Sequence, residues 1–453
     1  MGRIAGPFQS HPMPDMVFSP LGLVPKKGSS EFRLIHDLSF PLLNSVNSHI
    51  PVERSTVVFE DLDHCLSIIR RLGRGTLVAK ADLQDAFRII PIAPQDHRLL
   101  GFRFQGAYYY DRCLPMGCSV SCQTFEALST ALQWICTEKF GVSAMSHILD
   151  DFIFFGPHGV PNCQNNLDIF LSLCDKLSLP IKQAKTVQPA TSVSLHGILV
   201  NTQDMSISLP EDKQRDLTQR LKALHKRKSA TLREIQSLNG SINFACKVVV
   251  PGRAFARRLI DLTLGKSKPS HHIRITAEAR KDMQAWLLFM QSFNGRSFIL
   301  PDSWLSSDVV RLTTDACGMG YGAVLGDSWL QGRFHSSWKD KHISPKEFLP
   351  IILALRAWHP VLANKRILFL SDNSTVVAAI NNQTSKDHDI MSLLRQFVVL
   401  CMQYNILFKG KHIPGKINTV ADAISRFQIE KAREVRPTLQ QLPVGIDSAW
   451  LPW

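Results

Sequence analysis

Hydrophobic and polar positions divide the chain into three regions with different periodicities. Over about residues 15–205, short β-rich runs alternate with two amphipathic helices. Over about 206–300 the apolar spacing becomes mainly helical, and over about 308–427 strands and helices alternate again. No period of roughly 20 to 50 residues recurs, which argues against a repeat array.

The first region contains the elements of a palm-like α+β domain. An apolar run from His147 to Gly156 carries two acids at its centre and lies between two segments of helical spacing. In the middle region, Thr231 and Glu234 have the spacing of a capping box that opens a helix. The other predicted elements are a strand over 77–83, a β-hairpin over 99–104 and 107–112, and helices at 125–135 and 167–177.

Composition and charge indicate the kind of partner. The chain has 453 residues, of which 45% are hydrophobic and 20% charged, so it has ample material for packed cores. The 52 Lys and Arg against 38 Asp and Glu leave a net charge of +14. Such a surplus favours a polyanionic partner, nucleic acid before a membrane surface. The alternative is a soluble basic protein without such a partner.

Apolar runs, short motifs and cysteine spacing exclude several classes of protein. No apolar run approaches the ~18 residues of a membrane-spanning helix, and the first residues lack the apolar core of a secretory signal. Gly6 stands where a myristoylation motif needs Ser or Thr. The 10 cysteines form no CxxC pair, so we expect reduced thiols, mostly in cores. We therefore expect an intracellular protein, cytoplasmic and/or nuclear, that is neither secreted nor membrane-bound.

The first candidate chemistry is the acid pair in the apolar run. Asp150 and Asp151 are flanked by Ile, Leu and Phe, and ionised carboxylates there are costly without a compensating cation or donor. A tight hairpin turn, where Asp is common, is the alternative. Asp82 ends the strand predicted over 77–83, where its carboxylate would project from the edge of the same sheet. Three such acids can hold two Mg²⁺ ions, with Mn²⁺ as the alternative metal, as phosphoryl transfer by a nucleotide polymerase requires.

Short motifs follow one another in order around these acids. They are Ser19–Lys27, Phe32–Ser39 and Ser45–Asn47, then Ala81-Asp-Leu-Gln-Asp-Ala-Phe87, Leu114–Phe125, Leu149-Asp-Asp-Phe152, Gln183–Thr186 and Leu195–Ile198. In this order and spacing they resemble the fingers motifs and motifs A to E of reverse transcriptases. The resemblance covers nearly the whole chain and is strongest to DIRS-type (tyrosine-recombinase) retrotransposons.

The resemblance implies a multidomain α+β and α/β chain. It would consist of a right-hand polymerase with fingers and palm over 1–205, a helical and basic thumb or connection over 206–305, a ribonuclease H-like domain over 306–430, and a tail or linker over 431–453. The implied partners are an RNA template, a DNA primer-template, an RNA–DNA hybrid and dNTPs.

The resemblance also assigns roles to residues of the first region. It gives Asp82, Asp150 and Asp151 to two metal ions, the second acid of the pair being the less strict. The residues implied at the dNTP are Lys26, Lys27 and Arg33 over the triphosphate, Phe87 against a ribose 2′-hydroxyl, Gly117 close to the primer-template, and Lys185 as a proton donor to pyrophosphate. The alternatives are a solvated basic loop for the first three, a core aromatic, a turn glycine and a solvated lysine.

Three residues depart from the family pattern. Ile148 stands where most relatives have Tyr, Met116 where retroviral enzymes have Gln, and Cys122 where many have Pro. These positions bear on dNTP contact and fidelity more than on metal binding. We therefore expect reduced efficiency rather than loss of activity.

A second set of acids lies between 311 and 426. Asp315 and Asp372 end predicted strands, Glu347 lies on an amphipathic helix, and Asp422 opens the last helix. Helix capping is the alternative for Glu347, Asp372 and Asp422. The order of these acids resembles a ribonuclease H domain, which implies that four carboxylates hold two Mg²⁺ ions and that RNA in an RNA–DNA hybrid is cleaved.

Other polar residues have weaker assignments. His412 precedes Asp422 where some relatives have a mobile histidine that aids product release, and a surface histidine is the alternative. Asn373, Asn381, Asn382 and Gln383 are plausible donors to 2′-hydroxyl groups of the hybrid. The basic residues of the middle region favour phosphate contact, with a solvated helix face as the alternative. These are Lys222, Lys226, Arg227, Lys228, Arg233, Lys247, Arg253, Arg257 and Arg258.

The function predicted from sequence is therefore RNA- and DNA-templated DNA polymerisation with ribonuclease H cleavage, from a retrotransposon. A non-catalytic nucleic-acid-binding relic of a retroelement is the alternative, and both intact acid sets argue against it. Ribonuclease H activity beside an inactive polymerase is a third interpretation, which rests on Ile148 and Met116.

Overall fold

The computed structural model describes residues 2–26, 30–292, 295–299 and 312–452, and these form two compact units. The first unit contains the described residues up to His196 together with Asn201–Asp204. The second contains Gly197–Val200 and the described residues from Met205 onward. Across these ranges every helix falls short of the length and apolarity that a membrane span needs. All ten cysteines are free thiols, and six of them are buried, as predicted.

The first unit is built from strands and three long helices. Its strands are β1 (Ile4–Phe8), β2 (Leu21–Pro25), β3 (Phe32–His36), β4 (Leu77–Asp82), β5 (Gly101–Phe104), β6 (Ala107–Asp111), β7 (Met145–Ile148), β8 (Asp151–Gly156), β9 (Val187–Ala190) and β10 (Ser192–Leu195). Its helices are α1 (Leu62–Leu72), α2 (Ser121–Phe140) and α3 (Asn162–Lys176). The predicted strand, hairpin and two helices are confirmed, with ends shifted by up to a few residues.

The central sheet of the first unit has four antiparallel strands in the order β7-β8-β4-β9. The run Phe152–Phe155 in β8 is fully buried, which explains why this run is apolar at every position rather than at alternate ones. The ring of Phe152 lies 4.4 Å from that of Phe170 on α3. This packing fixes the sheet, and the register places Asp82 directly opposite Asp151 at one end of it.

The helices of the first unit begin and end at residues suited to those positions. The Asp61 side chain caps α1 by accepting a hydrogen bond from the His64 amide at 3.0 Å. Helix α2 ends at Gly141, whose φ of +70° is left-handed and favours glycine. The 20-residue α2 thereby begins within the segment 114–125 and ends shortly before β7.

The second unit contains the remaining elements. After β11 (Ile198–Asn201), at the passage between the units, its strands are β12 (Ser206–Ser208), β13 (Ser229–Thr231), β14 (His272–Arg274), β15 (Arg296–Phe298), β16 (Leu312–Ala316), β17 (Gly320–Leu325), β18 (Ser328–Arg333), β19 (Arg366–Ser371) and β20 (Leu407–His412). Its helices are α4 (Glu211–His225), α5 (Leu232–Ala245), α6 (Arg257–Asp261), α7 (Ala277–Ser292), α8 (Ile343–Leu362), α9 (Ser374–Asn382), α10 (His388–Gln403), α11 (Thr419–Ser425) and α12 (Ile429–Val435).

Two parts of the second unit match the sequence prediction in character. The first is helical, and α5 opens with the predicted capping box between Thr231 and Glu234. The second combines an antiparallel sheet, β16-β17-β18, with the parallel pair β19-β20. Helix α8 is buried over most of its length and contacts both β16 and β17. Strand ends and the buried helix therefore meet where the acids of this region lie.

The residues after α12 pack against the antiparallel sheet. The Trp329 indole donates to the carbonyl of Gln440 at 2.8 Å, and the Val444 amide donates to the carbonyl of Trp329 at 2.7 Å. The guanidinium of Arg436 donates to the carbonyl of Gly326 at 2.6 Å. These contacts partly cover the outer edge of β18, so this stretch of the predicted tail is joined to the sheet. The finer division of the chain into four segments stays a prediction.

Candidate active sites

Three acids of the first unit lie at one end of its central sheet. Asp82 ends β4, Asp151 begins β8, and Asp150 occupies the turn that joins β7 to β8. The carbonyl of Asp150 accepts a hydrogen bond from the Leu83 amide at 2.9 Å, which ties the turn to the strand. Burial raises the pKa of Asp150, and the neighbouring charge of Asp82 raises it further. The turn and the acid site therefore coincide rather than exclude each other.

Two lysines pair with two of these three acids. Lys185 Nζ lies 2.8 Å from Asp82 Oδ2, and Lys80 Nζ lies 2.8 Å from Asp151 Oδ2. The hydrogen bond to Asp82 raises the pKa of Lys185. In the described residues these three acids do not form a set whose ligand atoms all lie within 4.8 Å of one another. Like charges repel and each lysine draws one carboxylate towards itself, so closer convergence would require a cation to replace the lysines.

The residues predicted over the triphosphate have different positions. Lys26 pairs with Glu31, with Nζ 2.6 Å from Oε2, so its charge is partly compensated. Arg33 is exposed on β3, opposite Val24 in the antiparallel pair β2-β3. Lys27 lies outside the described residues. Of the three, Arg33 is the one that the structure places on the surface of a regular strand.

Phe87 and Gly117 both make close contacts within the fold. The Phe87 ring packs edge-on against Phe125, with centroids 5.6 Å apart. Phe87 is therefore a core aromatic residue whether or not its ring also contacts a sugar. Gly117 has a φ of +118°, and a Cβ at this position would lie 2.0 Å from the carbonyl oxygen of His36. Glycine is therefore required by the backbone of β3, independently of any primer-template.

The acids of the second unit converge more tightly. Asp315 in β16, Glu347 on α8 and Asp372 after β19 each offer a carboxylate oxygen, and these atoms lie within 4.8 Å of one another. They are the one such group in the described part of the chain. Asp315 and Glu347 are buried and Asp372 is half-buried. Carboxylate oxygens at this spacing fit a hard divalent cation such as Mg²⁺ or Mn²⁺.

The electrostatics of this group differ from those of the first site. Burial raises the pKa of Glu347 to about 9, with the charges of Asp315 and Asp372 adding to the effect. Burial likewise raises the pKa of Asp315 to about 7, although the Ser425 hydroxyl donates to its Oδ2 at 2.5 Å. Glu347 and Asp315 therefore resist ionisation in the protein alone.

The structure decides between capping and site chemistry for two of these acids. The predicted capping box between Ser344 and Glu347 does not form, because α8 begins at Ile343 and the His342 ring accepts the amide of Ser344. At α9 the cap is the Asn373 side chain, which accepts two backbone amides, and not Asp372. Capping therefore does not account for the positions of Glu347 and Asp372.

The fourth predicted acid lies beside this group. Asp422 Oδ1 accepts a hydrogen bond from Arg426 Nε at 2.7 Å, one turn along α11. Its charge contributes to the raised pKa of Asp315, but it does not belong to the set within 4.8 Å. His412 is exposed, and its Nε2 lies 3.1 Å from the backbone carbonyl of Asp372. This position is next to the acids and is compatible with either interpretation of the histidine.

The four amide side chains assigned to the hybrid divide into two groups. Asn373 is committed to the α9 cap, and Asn381 exchanges two hydrogen bonds with the backbone of Gly410, at 2.8 and 2.9 Å. Both therefore have roles within the fold. Asn382 is exposed at the end of α9, and Gln383 is the left-handed residue that terminates this helix.

The basic residues of the middle region are mostly exposed. Arg227 pairs with Glu234 at 2.6 Å, and Arg257 pairs with Asp261 at 2.9 Å. Those described as exposed are Lys222, Lys226, Arg227, Lys228, Arg233, Lys247, Arg253 and Arg257. Arg258 differs, because it reaches the buried Asp282 at 3.5 Å. An exposed cationic surface remains after these pairs are counted.

Sequence reasoning missed two residues that complete the sites. Lys80 stands two positions before Asp82, and strand alternation therefore puts both on the same face, next to Asp151. That spacing was a usable signal. Ser425 stands three positions after Asp422, but its contact with Asp315 joins residues 110 apart in the chain and has no comparable local signal.

Comparison with known proteins bears on this geometry. Residues 24–200 match a family model described as "Reverse transcriptase (RNA-dependent DNA polymerase)", and the matched range contains Asp82, Asp150 and Asp151. Residues 24–200 form a reverse transcriptase-type domain. Its strand ends carry the first acid site, and the matched range ends close to the end of the first compact unit.

Outside the reverse transcriptase-type domain as well, the chain is similar to Pol polyproteins of Drosophila melanogaster transposons. The chain is 24% identical over 457 residues to that of transposon opus, and 24% identical over 426 residues to that of gypsy. These alignments cover 95% and 90% of this chain but 41% and 38% of the relatives. The chain therefore spans less than half the length of the curated relatives it matches.

Solved structures agree with this picture at the level of the fold. Two structures of the foamy viral protease-reverse transcriptase in complex with double-stranded DNA match 90% of this chain with TM-scores of 0.54 and 0.52. The matches cover 67% and 79% of those chains at 16% sequence identity. At this identity the likeness shows a polymerase-like fold alone.

Proposed function

We propose that this chain is an RNA- and DNA-templated DNA polymerase, a reverse transcriptase of a retrotransposon, that also cleaves RNA in RNA–DNA hybrids. The observation that carries the polymerase is the position of Asp82 and Asp151, directly opposite each other at one end of a sheet within the reverse transcriptase-type domain. Asp150 in the adjoining turn supplies a third carboxylate at the same end.

The residues of the polymerase site have distinct tasks in this proposal. Asp82 and Asp150 would hold two Mg²⁺ or Mn²⁺ ions, with Asp151 as the less strict third acid, and such ions stabilise charge on phosphate oxygens during transfer. Lys185 is protonated and stands beside Asp82, so it can carry a proton to the leaving pyrophosphate. Arg33, Lys26 and Lys27 would contact the triphosphate, with Phe87 against the sugar.

Nucleic acid is the partner that the charge of the chain favours. The net charge of +14 and the exposed basic residues of α4, α5 and the segments beside them suit a phosphate backbone. Two solved structures that share the fold are complexes with double-stranded DNA, which supports a primer-template as the ligand here.

The second activity is supported by a separate observation. Asp315, Glu347 and Asp372 bring carboxylate oxygens within 4.8 Å of one another, and neither Glu347 nor Asp372 is explained by capping. With Asp422 beside them they would hold two divalent ions, which provide a nucleophile for hydrolysis of a phosphodiester. Discrimination of RNA from DNA would follow from hydrogen bonds to 2′-hydroxyl groups of the hybrid. Asn382 and Gln383 are the candidate donors, the first exposed and the second half-buried.

The subtype of retrotransposon is a finer part of the proposal. The motifs from Ser19 to Ile198 resemble those of DIRS-type elements most closely, and this resemblance is the basis for the subtype. Relatives named above belong to Pol polyproteins, so neighbouring coding segments can decide the subtype. A tyrosine recombinase encoded beside this chain would support the assignment, and a DDE-type integrase in its place would contradict it.

The two activities can be separated by single substitutions. Asp150→Asn should abolish primer extension on poly(rA)/oligo(dT) with Mg²⁺ or Mn²⁺, while cleavage of a labelled RNA–DNA hybrid continues. Asp372→Asn should abolish hybrid cleavage while extension continues. Each loss should reach about a hundredfold or more, because a metal-holding carboxylate is removed.

Matched controls use exposed acids in the same units. Asp168→Asn on α3 and Asp340→Asn before α8 should leave both activities within about twofold, as expected for surface substitutions. A wild-type protein that binds hybrid but neither extends nor cleaves would identify the chain as a non-catalytic relic. Loss of both activities from one substitution in a folded protein would contradict the division into two sites.

A further inference from the structure

The turn that carries the first acid pair is held by the helix behind it. Leu149, between β7 and Asp150, has a φ of +50°, which is left-handed and unfavourable for leucine. A residue keeps such a conformation only when its surroundings determine it. The contacts of its own peptide groups therefore show what holds the turn.

Both polar groups of Leu149 are bound by α2. Its amide donates to Oε2 of Glu126 at 2.9 Å, and its carbonyl accepts the Ser129 hydroxyl at 2.8 Å. Glu126 and Ser129 are three residues apart and so lie on one face of the helix. Both are buried, with Ser129 at 0% exposure. Two side chains of one helix thus bind both the amide and the carbonyl of one residue in the turn.

The carboxylate of Glu126 is itself oriented by a further contact. Its Oε1 lies 3.3 Å from Nε2 of His147, whose Nδ1 pairs with the amide oxygen of Gln133. His147 precedes Leu149 by two residues on β7, and its backbone amide donates to Oε2 of Glu60 at 3.0 Å. A buried polar network of this kind is stable only when its members satisfy one another, so Glu126 has little freedom to turn away.

We propose that Glu126 and Ser129 are positioning residues that set the directions of Asp150 and Asp151 by holding Leu149 in its left-handed conformation. This inference rests on the polymerase function proposed above. Both side chains contact the backbone of Leu149, so each would act on the acids through that residue and not on the reacting atoms. The directions in which Asp150 and Asp151 leave the turn depend on the dihedral angles of the residue before them.

The test compares variants of the full chain by amide exchange and by primer extension. In Glu126→Ala, hydrogen exchange of the peptide 145–152 should accelerate, and kcat for extension should fall about a hundredfold, as expected for a displacement of about 1 Å. The KM for dNTP should stay within about twofold, because substrate contacts are unchanged. Glu126→Gln keeps an acceptor for the Leu149 amide and should retain most of the activity. Ser129→Ala should show an intermediate loss.

A second substitution tests the conformation directly. Leu149→Gly should restore extension in the Glu126→Ala background by about tenfold, because glycine adopts positive φ freely. Glu138→Ala and Thr137→Ala, on the same helix, should match wild type in exchange and extension. Hybrid cleavage and the melting temperature report folding of every variant. Unchanged exchange in Glu126→Ala, accelerated exchange with full extension, or absence of rescue by Leu149→Gly would each overturn the inference.

Failure of the proposed function gives a different result. If the wild-type chain does not extend primers, the polymerase proposal fails, and Mn²⁺ affinity then replaces kcat as the readout. Measured in the Asp372→Asn background, this affinity should fall at least about tenfold in Glu126→Ala and recover in Glu126→Gln. Equal affinities in the three proteins would refute a positioning role.

Discussion

At the first site two carboxylates are each paired with a lysine, whereas at the second site three carboxylates face one another. Lys80 and Lys185 lie 2.8 Å from their partners at the first site. At β16, α8 and β19 the nearest compensation for Asp315 is a serine hydroxyl, and Glu347 has a backbone amide of Ala316. At the first site, two of the three acids are therefore compensated by lysines without an ion. The second stores mutual repulsion that a divalent cation or protons must relieve.

The largest expected effect is on the pH dependence of stability in EDTA. The pKa of Glu347 is about 9 in the folded protein against 4.5 as the usual value, so the folded state binds more protons between these limits. The free energy of unfolding should then fall as pH rises from about 5 to 9, by a few kcal/mol, and Mg²⁺ should reduce this loss. Denaturant unfolding at pH 5.5 and 8.5 measures it.

Glu347→Gln serves as the control for this dependence. The amide does not titrate, so the pH slope should flatten and stability at pH 8.5 in EDTA should rise. Hybrid cleavage should be lost in the same variant, while primer extension continues. A wild-type slope that matches the variant would show that burial and the neighbouring acids do not raise the pKa of Glu347.

The next effect concerns sugar selectivity, which only the polymerase site should have. Phe87→Ala removes the ring predicted to exclude a 2′-hydroxyl, so rNTP incorporation relative to dNTP should rise at least about tenfold. The rate of hybrid cleavage should not change. Because Phe87 also packs on Phe125, melting must be measured beside activity, and Phe87→Tyr preserves the packing as a control. An unchanged rNTP ratio would refute the gate.

Lys185→Ala is expected to act on rate more than on stability. Loss of a proton donor should slow extension by about tenfold, with the largest deficit at high pH. The lysine side chain is 53% exposed, so its ion pair with Asp82 should contribute less than about 1 kcal/mol to stability. Pre-steady-state primer extension measures the effect on rate, and denaturant unfolding measures the effect on stability. The exposed Lys182→Ala is the matched control, and equal behaviour of the two variants would remove Lys185 from the mechanism.

The smallest effect tests the pairing of Lys80 with Asp151. Lys80→Met should lower stability in EDTA by about 1 kcal/mol, because a partly buried carboxylate loses its partner. The cost should disappear in the Asp151→Asn background, which makes a double-mutant cycle. Additive effects in that cycle would show that the two side chains do not interact in solution. The first site would then no longer differ from the second by having its carboxylates paired with lysines.

Much of the fold of the first unit could be predicted from local pattern. The buried run after Asp151 and the helices α2 and α3 follow from apolar spacing, which depends on neighbours within one or two turns. Asp150 and Asp151 were found because charge is costly in such surroundings, whereas the acids of the second site were found through the resemblance of their order to a ribonuclease H domain. The role of Ser344 was not predictable, since the cap of α8 depends on where His342 turns.

The sequence by itself determined which segments become strands and helices and which of them carry acids at their ends. Only the tertiary structure decided that Lys80 neutralises Asp151, that the backbone of His36 excludes any side chain at Gly117, and that Glu126 and Ser129 hold Leu149. Periodicity reports which face of an element is buried. Contacts between residues tens of positions apart depend on strand register and helix packing, which no local pattern contains.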